Sequence, residues 1–309
     1  MVDQDHRDDF AFQDIPKREP KINQILVSAF PVAICKLSSY HPSSRRMPMA
    51  AKNRIDLNSD VGESFGNFKL GMDDEVIPLV SSVNIACGFH AGDPHVMQKT
   101  IGLAKKHGVA PGAHPGFPDL LGFGRRNLDA TLDEIRDYVA YQIGGLQAFA
   151  TKEELKLQHV KLHGALYNMA FGNLNIWDAV AGVVSQLDKN LILVALAGPD
   201  REKIESIALE HRVKVAFEFF ADRAYNQDGS LVSRREKGAV IHDQQEAAYR
   251  VLKLVKEGKV IARDGTAIPL AAETICVHGD NPAAIKLIGK IRETLDNAGV
   301  EIVPMGKFL

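Results

Sequence analysis

Two carboxylates, Asp60 and Glu63, stand three residues apart with Gly62 between them, a spacing that lets one loop aim both at a single ligand. One can act as general base while the other positions a substrate nitrogen or a metal. The same pattern returns at His90 with Asp93 and Pro94, at His114 with Pro115 and Gly116, and at Lys161 with His163 and Gly164. Each time a polar group ends an apolar run and glycine or proline follows. Glycines there let backbone N–H groups approach a ligand, and a helix opening at Asp93-Pro94 favours an anion. Arg125 and Arg126, in a glycine-rich stretch, have the fork to clamp a carboxylate or a phosphate, although Arg126 reads equally well as a solvated turn. Cys87 near His90 invites a thiolate nucleophile. Without a second base at a fixed spacing, it reads better as a small buried thiol.

Asp60, His90, Asp93, His114 and His163 also make an oxygen and nitrogen donor set that a divalent metal accepts. No compact ligand motif such as H-E-x-x-H is present, so the metal stays unassigned. Neither a P-loop nor a glycine-rich dinucleotide fingerprint occurs, and any nucleotide must be held by other means.

These residues need elements to position them. From Arg54 onward, short β-rich runs alternate with amphipathic helices. Strands are expected at Ile55–Asp60, Val83–His90, Val109–His114, Val160–His163, Leu191–Ala197, Lys214–Asp222 and Thr274–Asp280, and helices at about 73–81, 93–107, 131–149, 176–189, 200–211, 242–257 and 282–298. Asp93 and Pro94 read as N-cap and first residue of one helix, and Thr131 with Glu134 as a capping box. Lys259–Leu270, centred on Asp264-Gly265, reads as a β-hairpin inserted before the last strand. Alternation of this kind means parallel strands with helical crossovers, closed as a barrel or open as a doubly wound sheet.

One parity of these strands is polar. Ile55 and Leu57 alternate with Asp56, Asn58 and Asp60; Val83 and Ile85 flank Asn84; Val160 and Leu162 flank Lys161 between His159 and His163; Phe217 and Phe219 flank Glu218. Strands covered on both faces are otherwise nearly continuous apolar runs. Successive side chains point to opposite faces, so a barrel would turn the polar set toward its axis, where each group must be paired or used. Asp56, near the start of its strand, fits a structural hydrogen bond; the whole set points to a hydrolytic or acid/base enzyme with its site at the C-terminal strand ends.

The 309 residues carry Lys+Arg 37 against Asp+Glu 39 and are 45% hydrophobic, ordinary for a soluble globular chain and without the basic excess of a nucleic-acid binder. Three widely spaced cysteines form no disulfide framework and fit a reducing, cytoplasmic setting. Residues 1–52 lack periodicity and read as a disordered tail or a start placed upstream of Met47 or Met49. Their apolar run, Ile25–Leu37, is too short for a membrane span. A signal peptide is disfavoured by the acidic residues ahead of it and the lack of a cleavage site. Residues 53–309 are then a single catalytic β/α barrel.

Seven blocks in order resemble the LamB/YcsF family: Ile55 to Gly66, Val83 to Pro94, Gly112 to Arg126, Val160 to Asn168, Glu218 to Tyr225, Leu231 to Arg234, and Thr274 to Asp280. The resemblance implies an irregular seven-stranded β/α barrel similar to the glycoside hydrolase/deacetylase architecture. It also implies ATP-dependent opening of the lactam of 5-oxo-L-proline to L-glutamate in a complex with subunits B and C, without nucleic acid or membrane as partner. Phosphorylating the stable amide oxygen would create an electrophile that water can attack. On that chemistry Asp60 or Glu63 is the base, and His90, His114 and His163 are acids or oxyanion donors. Lys161, Arg125 and Arg223 clamp charge, while Asn58, Asn84, His278 and Asp280 orient the ring. The residues alone also accommodate a stand-alone metal-dependent amide or deacetylase-type hydrolase, or a non-catalytic lactam-binding subunit.

Overall fold

A strand that must hide both faces joins a sheet wrapped by helices. The computed structural model of the chain describes residues 53–233, 236–278 and 282–309. Strand β1 (Arg54–Val61) is followed by the short helix α1 (Asp73–Val76), then β2 (Ser82–Ala86), α2 (Pro94–His107), β3 (Ala110–His114), α3 (Leu132–Lys152) and β4 (His159–Lys161). Two helices, α4 (Gly164–Ala170) and α5 (Leu174–Leu187), lead to β5 (Ile192–Leu196), α6 (Arg201–Glu210), β6 (Lys214–Phe220) and α7 (Gln244–Glu257). A hairpin of β7 (Lys259–Ile261) and β8 (Ala267–Pro269) precedes β9 (Thr274–Cys276), α8 (Pro282–Asn297) and β10 (Glu301–Ile302).

The parallel order is β1-β2-β3-β4-β5-β6-β9, and β9 returns to β1 through Asp56↔Thr274 and Asn58↔Cys276. A closed seven-stranded β/α barrel therefore results, as expected. Asp93 caps α2 by accepting from His95 and Val96 N–H, and Thr131 and Glu134 form the capping box of α3. The hairpin also forms, with β7 and β8 antiparallel. Several expected bounds shift, the fourth and sixth strands ending early at Lys161 and Phe220. The second strand ends at Ala86 rather than His90, because Gly88 turns the chain at φ 94. The last strand ends at Cys276, and the helix expected at 73–81 becomes α1 followed by a 3-10 turn containing Pro78. Helix α4 and strand β10 were not foreseen. Readings of residues 1–52, of Arg234 and of Asp280 lie outside the described residues.

Outward side chains such as Ile55, Leu57, Val83, Ile85, Phe217 and Phe219 are fully buried under the helices. The inward polar set pairs with itself. Asp56 accepts from Ser81, Ser82 and Thr274; Thr274 also accepts from Asn58; Asn58 accepts from Asn84; and Asn84 bonds His159 at 2.7 Å. Gly112 leaves room for this column, since a Cβ there would collide with the His159 ring. At the other side of the interior, Ile192, Val194 and Ala216 pack against fully buried Met305, so the C-terminal segment plugs the barrel's lower end.

Candidate active site

Above the polar column, the C-terminal strand ends surround a cavity of about 160 Å³. Asp60, Glu63, His114, Arg125, Lys161, His163, Arg223 and His278, all named from sequence, line it. Tyr167, Asn168 and Phe220 join them without having been assigned a role. Tyr167 and Asn168 sit on α4, which no periodicity announced, although both fall within the block Val160 to Asn168.

Asn58 and Asn84 lie beneath the cavity instead of on its wall. Asn84 Nδ2 donates to Asp60 Oδ1 at 2.8 Å and to Asn58 Oδ1 at 2.7 Å, so Asn84 braces the first carboxylate from below and Asn58 anchors Asn84. His90 is fully buried behind His163, its ring stacked at 3.5 Å between centroids and 2° between planes.

Lys161 is the buried cation of the floor. Its Nζ lies 2.9 Å from Asp60 Oδ1, 2.7 Å from Glu218 Oε2 and 3.2 Å from Cys276 Sγ. Burial alone pulls the ammonium toward neutrality, but Asp60 and Glu218 outweigh it and lift its pKa well above the usual lysine value. Asp60 mirrors this. Burial pushes its carboxyl up, yet His114 and Lys161 hold it well below the usual range, so it stays ionised. Glu218 also accepts from Tyr167 Oη at 2.9 Å. Two carboxylates and one ammonium thus occupy the floor, and the second Asp60 oxygen faces His114 Nε2 at 3.4 Å.

The histidines run outward from Asp60. His114 Nδ1 meets the Lys161 carbonyl at 2.8 Å, and His163 Nε2 meets the Phe123 carbonyl at 2.9 Å. A carbonyl only accepts, so both nitrogens carry hydrogen. Between the rings, His114 Nε2 and His163 Nδ1 are 3.0 Å apart. With their other nitrogens protonated, these two are bare in neutral rings and need a proton or a cation between them. Burial, then His114, pushes His163 down to about 3, and burial, then His163, pushes His90 down as well. Gly124, at φ 62, lets this cluster close, because a Cβ there would lie 2.7 Å from His90 Cβ.

Glu63, His90, His114 and His163 each bring a ligand atom, all within 4.8 Å of one another. The set fits a divalent metal on two further grounds. Both His90 nitrogens are buried with no hydrogen bond among the described residues, while Glu63 Oε1 approaches Nε2 at 3.9 Å. Backbone carbonyls orient the outer nitrogens of the other two imidazoles, as they do for metal ligands. The neighbouring trio Asp60, Cys276 and His278 is different, since Lys161 Nζ already bonds Asp60 and Cys276.

On the rim, Arg125 lies over the Phe123 ring at 4.9 Å, while Arg126 is bonded to Asp119 and turned to a structural task. His278 Nδ1 stands 3.1 Å from Asp222 Oδ2 and stacks on Phe220. Arg223 donates to the Val232 carbonyl at 2.7 Å. Cys87 is buried away from the cavity, and burial pushes its thiol up to about 12, which fits an inert thiol.

Comparison with known proteins matches residues 55–309 to the model of the LamB/YcsF family. The A subunit of a 5-oxoprolinase from Pyrococcus furiosus is 53% identical over 256 residues, covering 83% of this chain and 99% of the relative. The corresponding protein of Alkaliphilus metalliredigens is 52% identical with the same coverage. The crystal structure of a lactam utilization protein from Thermus thermophilus aligns with a TM-score of 0.76 at 46% identity, covering 81% of this chain and 99% of that one.

Proposed function

The chain belongs to the LamB/YcsF family, and from that premise we propose that it opens the lactam of 5-oxo-L-proline to L-glutamate, with ATP as co-substrate, within a cytoplasmic assembly that includes subunits B and C. The observation that carries this reading is the near-complete coverage, at about half identity, of relatives named as the A subunit of 5-oxoprolinase. The cavity supports it: a small chamber with Asp60 and Lys161 at its floor and guanidinium groups at its rim suits a compact, anionic amide. No helix among the described residues is long and apolar enough to cross a membrane.

Opening a five-membered lactam needs an activated carbonyl, a base for water and an acid for the leaving nitrogen. Transfer of the terminal phosphoryl group of ATP to the amide oxygen, with ADP leaving, supplies the activation; water adds at the carbonyl carbon, the C–N bond breaks, and hydrolysis then frees phosphate and the product carboxylate. Asp60 is engaged by Lys161, Asn84 and His114 and held ionised, which makes it a weak base and a strong positioning group. Glu63, at the cavity wall, then takes the proton from water. His114, carrying on Nε2 the proton that lies between it and His163, delivers it to the departing nitrogen. Arg125 and Arg223 receive the substrate carboxylate and the phosphoryl charge, and His278 orients the ring with Asp280 beside it in sequence.

The histidine cluster favours a second reading, a metal-dependent amide hydrolase. A divalent ion held by Glu63, His90, His114 and His163 would polarise the amide carbonyl. Glutamate release from 5-oxoproline, measured with and without ATP, for the chain alone and with the two partner proteins, separates the readings. Turnover only with ATP and partners is expected. Turnover of an amide by the isolated chain without ATP, with stoichiometric metal by elemental analysis, would replace the first reading with the second.

A further inference from the structure

A second concavity, about 550 Å³, lies between α7, the β7–β8 hairpin and the segment 237–241. Its floor is apolar, built by Ala224, Val260 and Ala262. Its walls are cationic and carry one aromatic ring. Lys237, Arg250, Lys253 and Arg263 face Glu246, and Glu236 is already bonded to Arg263. Four cations therefore stand against two carboxylates, and Lys237 and Lys253 make no ion pair among the described residues. Arg250 Nε is buried with no hydrogen bond among the described residues, even though Nη2 donates to the Arg223 carbonyl at 3.1 Å. Tyr249, one helical turn before Lys253, is 57% exposed beside them. Aromatic face, apolar floor and unpaired cations are what a flat base and its phosphates need, and the volume falls in the range of small-molecule sites.

We propose that this groove binds a nucleoside polyphosphate, its phosphates against Lys237, Arg250 and Lys253 and its base against Tyr249. Arg223 joins the groove to the barrel cavity, since its side chain lines the cavity and its carbonyl is held by Arg250. A ligand that draws Arg250 toward its phosphates is thereby felt at the rim of the catalytic chamber. Binding here belongs to the isolated chain and stands apart from whether lactam opening consumes ATP.

Calorimetric titration of the full chain with ATP and with inorganic tripolyphosphate tests this. The double variant Lys237→Ala/Lys253→Ala should weaken both by about tenfold or more, as expected for two lost charge-assisted contacts. Tyr249→Ala should weaken ATP while leaving tripolyphosphate within about twofold. Unchanged melting temperatures will show that these surface variants fold. Absence of ATP binding to the wild-type chain, undiminished affinity in the double variant, or an ATP affinity indifferent to Tyr249 would each overturn the assignment. Because binding is read directly, its failure is distinguishable from a failure of ATP-dependent turnover.

Discussion

Lys161 has exchanged water for two carboxylates and a thiol, and that exchange governs everything above it. In a buried triad, removing one partner leaves the others uncompensated, at a cost of about 3–5 kcal/mol. Lys161→Met should therefore lower unfolding free energy by about that amount in urea titrations. It should also abolish turnover, because Asp60 would no longer be held in place and ionised. A variant as stable as wild type would show that the fold does not depend on the buried ammonium between Asp60 and Glu218. The sequence made Lys161 conspicuous as a cation on a barrel-facing parity that Asp60 and Glu218 share. Tyr167, the donor to Glu218, was not visible, since its phenol reaches the floor only through the turn that α4 makes after His163.

At the scale of elements, α2 and the β1–α1 loop are joined by a single carboxylate. Asp93 Oδ1 accepts from His95 and Val96 N–H, closing the helix, while Oδ2 accepts from Gly66 N–H at 2.7 Å. Gly66 belongs to the loop that carries Glu63. Asp93→Ala should cost about 0.5–2 kcal/mol of stability, as loss of an N-cap does, and should also raise hydrogen exchange at residues 62–68. Protection in that loop equal to wild type would separate the cap from the site. The capping function was legible from Asp93-Pro94. The reach back to Gly66 was not, because it joins segments 27 residues apart.

The whole molecule is tuned to pH by groups in the barrel axis with opposite preferences. Burial, with Lys161 second, holds His159 neutral down to about 3, whereas the unfolded chain binds its proton near 6.5. Unfolding therefore takes up a proton between those values, and stability falls as pH falls, by up to about 1.4 kcal/mol per unit. Asp56 acts the other way. Burial raises its carboxyl to about 6 from 3.8, so the folded state protonates first and stability rises as pH falls through that window. Between roughly pH 4 and 6 the two slopes oppose each other. Relative to wild type, His159→Gln should shift the slope in that window toward stability gained on acidification, and Asp56→Asn should shift it toward stability lost, both read from urea midpoints. Parallel curves for all three proteins would mean that neither group carries the slope.

Hydrophobic period and capping chemistry are local, so the alternation of strands and helices, the inserted hairpin and the caps of α2 and α3 were determined by the sequence alone. Polar parity also marked which residues would meet inside, and seven ordered blocks identified the family. Tertiary structure decided what each of those residues does. Whether Asn58 and Asn84 touch the cavity or lie beneath it depends on strand stagger, and whether His90 lines the chamber or stacks behind His163 depends on the turn at Gly88. The plug formed by Met305 depends on a segment that no period marks. Each of these is a contact between residues distant along the chain, fixed by the register of the closed barrel rather than by any local preference.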